Sequence, residues 1–175
     1  MIPHPLAAIS TAAQLSALLI KRLCVASVAL TANAYESPSA RAKYHRRTAP
    51  RAQAVCERVA QRAQEEGLDP LELIAVSHTE TRHTPHLTSS AGAVGPLQVR
   101  LVFWSRPHDR PQDTITPALR AWAYYQARSS SLRETAGRYG GGGSSSAYAA
   151  QVEAHHAHLK RHLDTMSTHT GGATP

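Results

Sequence analysis

The four residues Gly67-Leu68-Asp69-Pro70 constrain this chain more than any other stretch, because they read as a helix stop followed at once by a helix start. Glycine closes a helix by adopting the left-handed conformation that other residues resist. Asp69 can cap the next helix, Pro70 suits its first turn, and Glu72 lies three residues after the cap, in capping-box register. Upstream, Ala52, Val55, Cys56, Val59, Ala60 and Ala63 recur at the three-and-four spacing of one helical face. Downstream, the pattern predicts a helix from Pro70 to about Thr81, with Leu71, Ile74, Ala75 and His78 on one side and Glu80 in its last turn.

The rest of the chain extends this helical reading. Arg82 to Gly95 is small, polar or turn-forming and predicts an irregular connection beside the Glu80 end of the helix. A short helix is expected from Pro96 to Trp104, another from Thr116 to about Ala127, a third from Leu132 to Arg138, and a last one from Ala147 to about Leu163. Gly140 to Ser146 reads as a loop, and residues 164–175 as a flexible tail. No segment alternates apolar and polar residues as a strand would, so the expected fold class is all-α.

Residues 1–34 have two readings. Leu23 to Leu30 has the composition of a signal-peptide core, and Ala32-Asn33-Ala34 the small-x-small form of a cleavage site before Tyr35. The other reading is an amphipathic helix that stays attached. Cys24 lacks the small residues that precede a lipidated cysteine. Residues 35–51 carry Arg41, Lys43, Arg46, Arg47 and Arg51 between Pro38 and Pro50, and read as a basic linker ahead of a domain spanning 52–163.

Charge narrows the partners. Lys and Arg number 19 against 12 Asp and Glu, a formal net charge of +7, which favours an anionic partner. No run interleaves aromatic residues with Lys and Arg as a base-stacking surface would, so a specific nucleic-acid partner is not expected; a basic helical nucleic-acid binder remains a rival reading. Lys21 and Arg22 interrupt the only long apolar stretch, which leaves no transmembrane domain beyond the N-terminal segment. Two cysteines rule out a disulfide scaffold, and Cys56 is expected to pack as a small hydrophobe. His155, His158 and His162 share a helical face with His156 beside them, but no Cys or carboxylate stands at ligand spacing. No metal and no cofactor are expected; His78, His83 and His86 flank the Glu80 region in structural or surface roles.

Glu80 is the residue with the clearest chemical possibilities. A carboxyl group donates a proton to a leaving oxygen near neutral pH only when desolvation raises its pKa. Glu80, at the end of an apolar helix and beside a small-residue loop, is suitably placed. Gly67-Leu68-Asp69-Pro70, the run Leu73 to Glu80-Thr81, and Ser89-Ser90-Ala91-Gly92-Ala93-Val94-Gly95-Pro96-Leu97-Gln98-Val99 together resemble the lytic transglycosylases with a lysozyme-like fold. In that family the helix ends in Glu-Ser and is followed by Ser-x-Gly-Ala-x-Gly-Leu-Met-Gln-Val. A weaker third element is Ala136-Gly137-Arg138-Tyr139-Gly140-Gly141, similar to the family's Tyr-Asn-x-Gly turn, followed by Tyr148-Ala149-Ala150-Gln151-Val152. Thr81, Pro96, Leu97 and Gly140 depart from the family's Ser, Leu, Met and Asn.

The resemblance implies a lysozyme-like helical domain and cleavage of the β-1,4 bond between N-acetylmuramic acid and N-acetylglucosamine in peptidoglycan. Glu80 would serve as acid and then base, with the C6 hydroxyl closing a 1,6-anhydro ring. It assigns substrate-binding roles to Thr81, Ser90, Gly92, Gly95, Gln98 and Tyr139, with Tyr139 near Glu80. A lysozyme-type hydrolase would need a second carboxylate, for which Asp109 and Asp113 are the next candidates after Glu80. The remaining rival is a wall-binding or structural module that keeps the fold without catalysis. The expected partner is the peptidoglycan glycan strand, in the periplasm or cell envelope, or within a phage virion or envelope-spanning assembly.

Overall fold

The computed structural model describes residues 15–170, with side chains to 166; the beginning of the N-terminal segment and the last five residues of the expected tail lie outside the described residues. Eight helices are described: α1 (Ala17–Asn33), α2 (Pro38–Arg47), α3 (Ala49–Glu65), α4 (Pro70–Thr81), α5 (Leu101–Trp104), α6 (Ile115–Gln126), α7 (Leu132–Tyr139) and α8 (Ala147–Thr170). The all-α class is as expected, and among the described residues the only β pairing is two isolated bridges.

α4 is the central helix. The Asp69 side chain accepts from Leu71 N–H at 2.8 Å, as the cap reading requires. Glu72 does not return to complete the capping box; its Oε2 accepts from Trp122 Nε1 and Gln126 Nε2, each at 3.1 Å, and so ties α4 to α6. α4 is buried on nearly all sides, which is the state of a helix apolar around most of its circumference. One cluster joins Leu73 and Val76 to Val59, Leu97, Leu119, Trp122 and Val152; a second joins Leu71 and Ile74 to Ile20, Leu23, Ala60 and Leu159.

The second cluster revises the reading of the N-terminal third. α1 buries Ile20, Leu23, Cys24, Ser27, Val28, Thr31 and Ala32 along one stripe against α3, α4 and α8. Cys24 and Cys56 form a disulfide between α1 and α3, so Cys56 is not a free packing residue. Cleavage before Tyr35 would leave α1 joined to the remainder of the protein through that disulfide alone. Residues 35–51 are not an extended tether. Ser37 caps α2, Pro38 and Pro50 occupy first-turn positions, and Tyr44 packs against Val28, Ala32 and Ala52. The prolines mark helix starts, because a missing N–H costs nothing in the first turn. The cations of this segment are exposed, as a solvated role requires.

After α4 the chain turns sharply. Arg82 and His83 both take positive φ, at 55° and 62°. The helix expected from Pro96 forms only over Leu101–Trp104. Before it, Val94 and Val99 exchange both backbone hydrogen bonds, at 3.0 and 3.1 Å, around a turn that places Gly95 at φ 77° and Gln98 at φ 49°. Two left-handed residues flanking Pro96 cannot belong to a right-handed helix. α8 runs to Thr170, beyond the expected end near Leu163, so part of the expected tail is helical.

Candidate active site

The carboxyl of Glu80 opens into a recess of about 530 Å³ between the end of α4, the 89–100 loop, α5, α6 and the end of α7. Its wall includes Trp104, Tyr125, Tyr139, Gln98, Arg100 and Arg138, and Glu80 is the one carboxylate among the described residues lining it. Burial pushes the Glu80 carboxyl up from its ordinary value to about 7, and the Tyr148 hydroxyl facing it pulls part of the way back. That hydroxyl is buried and makes no well-shaped hydrogen bond, so it faces the carboxyl without being committed to it. A carboxylic acid with a pKa near 7 is protonated in about half of the molecules at neutral pH, the condition for a general acid that can later act as base.

The residues singled out beside Glu80 divide into two groups. Gln98 and Tyr139 line the recess with it. The Gln98 amide nitrogen donates to the carbonyls of Leu87 and Gly95, both at 2.9 Å, so one end of the side chain pins the loop. Tyr139 does not bond Glu80; its hydroxyl donates to the Leu97 carbonyl at 2.7 Å, and burial with the nearby Glu80 charge holds it well above the ordinary phenol value.

Thr81, Ser90, Gly92 and Gly95 are not among the lining residues. The buried Thr81 hydroxyl bonds the Ser77 and Pro96 carbonyls and accepts from Thr84 N–H, which fastens the end of α4 to the following loop. Ser90 is exposed, and it is Ser89 that lines the recess and accepts from Ala93 N–H. Gly92, at φ 77°, forms an open turn with nothing near its missing Cβ. Gly95 is required for packing, since a Cβ there would fall 2.1 Å from Thr114 Oγ1.

Asp109 and Asp113 are not among the residues that line the Glu80 recess. Asp109 takes both of its oxygens to Arg120 at 3.0 Å, and that guanidinium holds its carboxyl down to about 2. Asp113 accepts from the N–H groups of Ile115 and Thr116 and from the Thr116 hydroxyl, capping α6.

Sequence reasoning did not single out Tyr148, Trp104 or Tyr125 as site residues. Tyr148 carried a signal in its place at the start of the last helix. It also accounts for Gly140, where a Cβ would lie 2.6 Å from the Tyr148 ring, so a larger residue there would displace the tyrosine. Trp104 stacks edge-on against Tyr124 and Tyr125, and Tyr125 against Tyr139, which builds a continuous aromatic wall.

Among the described residues no group of three or more His, Cys, Asp or Glu is arranged to hold a metal ion, and no helix is long and apolar enough to cross a membrane. Compared with known proteins, the chain matches no family model, no curated protein and no solved structure.

Proposed function

We propose that this chain cleaves a glycosidic bond of the peptidoglycan glycan strand as a lytic transglycosylase, with Glu80 as its single acid and base. The observation that carries the reading is a half-buried carboxyl, raised to about 7, in a recess that no second carboxylate lines among the described residues. A sugar ring presents apolar faces and hydroxyl edges. The faces suit the Trp104–Tyr125 wall, and the edges suit Gln98 and the arginines Arg100 and Arg138.

Glu80 in its acid form protonates the glycosidic oxygen as the C1–O bond breaks. The resulting carboxylate then takes the proton from the C6 hydroxyl of the same sugar, whose oxygen closes onto C1 to form the 1,6-anhydro ring. Tyr148, buried and facing the carboxyl, can donate to the carboxylate between the two steps. The alternative of two-carboxylate hydrolysis loses its candidates, because Asp109 and Asp113 are committed elsewhere. Cationic α2, with Arg41, Lys43, Arg46 and Arg47 exposed, suits an anionic wall, and the setting we propose is the cell envelope or a phage virion that meets it.

The test is digestion of purified peptidoglycan by the wild-type chain and by Glu80→Gln, with mass analysis of the fragments. Anhydro-ended fragments from the wild type alone are the expected result. Reducing ends would replace the transglycosylase with a hydrolase, and wall binding by both proteins without release of fragments would replace catalysis with a binding module.

A further inference from the structure

Residues two apart on a helix point to different sides, and the side of α4 away from Glu80 carries a second constellation. His78 and His155 stack with ring centroids 4.0 Å apart, and each is only 7% exposed. Behind them, Ser27 Oγ sits between His83 Nε2 at 2.8 Å and His155 Nε2 at 3.0 Å. Ser77 Oγ bonds His83 Nδ1 at 2.9 Å, and Thr31 Oγ1 bonds His78 Nε2 at 3.1 Å. These hydroxyls fix the orientation of the rings from α1 and α4.

In front of the stacked pair lies a recess of about 370 Å³ between α1, α4 and α8, with Arg82, Gln151 and His158 at its rim and Leu30 on the α1 side. An Arg82 guanidinium nitrogen stands 3.5 Å from His78 Nε2. The backbone of Arg82 is itself in the left-handed region, as is that of His83. Two successive non-glycine residues in that region are a local strain of the sort found where a side chain must be held in one place.

The charge pattern is one-sided. Among the described residues, the charged or titratable groups acting on His78, His83, His155 and His158 are one another, Arg82, Arg161, His156 and His162; none of these is a carboxylate. From α1 the recess is faced by Leu30, and the Tyr44 phenol of α2 is close enough to Arg82 to feel its charge. Arg82 therefore brings a fixed positive charge to a recess floored by uncharged imidazoles, with no acidic side chain among the described residues that line it.

We propose that this recess binds a small oxyanion of the phosphate class, held by the Arg82 guanidinium and the imidazole of His158 over the His78–His155 floor. A phosphate offers three terminal oxygens and up to two charges, which matches a guanidinium fork plus imidazole and amide donors better than a carboxylate does. An anion in the recess favours the protonated form of the His158 imidazole beside it. Binding therefore takes up a proton, and by linkage the affinity rises as the pH falls. The site is separate from the Glu80 recess and stands whether or not Glu80 is catalytic.

The experiment is titration of the full chain with inorganic phosphate, glycerol 3-phosphate and acetate, followed through the imidazole proton–carbon resonances at about pH 7.5 and about pH 6. Saturable shifts of His78, His155 and His158 are expected, with tighter phosphate binding at the lower pH. Arg82→Gln should weaken binding by about tenfold or more, His158→Gln by less, and Arg51→Gln, an exposed cation on α3, not at all. Binding of glycerol 3-phosphate as well as phosphate assigns an esterified ligand, and binding of phosphate alone assigns the free ion. Absence of saturable shifts, equal binding of acetate, or equal weakening by Arg51→Gln and Arg82→Gln overturns the proposal.

Discussion

Acidification from pH 7 to pH 5 should remove a large part of this protein's stability, and the histidine cluster behind α4 sets the amount. Burial holds His78, His83 and His155 down to about 3, with the neighbouring imidazoles and Arg82 acting in the same direction. In the unfolded chain each titrates near 6.5, so below that pH the unfolded state binds protons that the folded state refuses. A depressed histidine contributes stability that is present above its unfolded pKa and lost as the pH falls beneath it. Each of the three then costs about 2 kcal/mol between pH 7 and pH 5, or about 6 kcal/mol together.

Glu80 works the other way. Its pKa is raised to about 7, so the folded state binds a proton that the unfolded state lacks, and acidification over the same range returns about 2 kcal/mol. The net loss is about 4 kcal/mol, a large share of the stability of an ordinary domain. Urea unfolding followed by circular dichroism at several pH values measures it directly. His155→Gln should reduce the loss by about 2 kcal/mol, whereas Glu80→Gln should increase it by about the same amount. Equal stability at pH 5 and pH 7, or a slope that neither variant changes, would refute the reasoning.

Four further outcomes are expected. Glu80→Gln should lower the rate of peptidoglycan cleavage by at least about a hundredfold while leaving wall binding intact, measured by release of soluble fragments. The wild-type rate should fall as the pH rises through about 7, because the acid form of Glu80 is consumed there. Tyr148→Phe removes the group that opposes burial of that carboxyl, so the falling limb should move to higher pH; an unmoved limb would show that the hydroxyl does not act on Glu80. Gly95→Ala should cost about 2 kcal/mol or more in urea unfolding, since the left-handed backbone and the Thr114 contact both oppose a Cβ.

The parts of this molecule legible in its sequence are those that local chemistry decides. The stop and start at Gly67 to Pro70 placed α4 because capping and left-handed turns are properties of a few adjacent residues. Glu80 was legible for the same reason, standing at the end of an apolar helix before a turn-forming loop. Other features depend on partners far along the chain. Glu72 sits at the capping-box position, yet Trp122 and Gln126, fifty or more residues away, take its carboxylate. Pro38 and Pro50 signal a break or a helix start equally well, and the pocket for Tyr44 among Val28, Ala32 and Ala52 decides between them. Pairing of Ser27 with His83 and His155 has no periodicity to announce it. Two glycines near the site illustrate the same limit, since Gly95 serves contact with Thr114 and Gly140 serves the ring of Tyr148.

The bond between Cys24 and Cys56 changes what a cut in the chain means. It spans 32 residues that contain all of α2, and closing a loop of that length restrains the unfolded chain by about 4 kcal/mol. A protease that nicks the α1–α2 connection, including one acting before Tyr35, would therefore leave a two-chain molecule. Its pieces would migrate together without reductant and part only when a thiol is added.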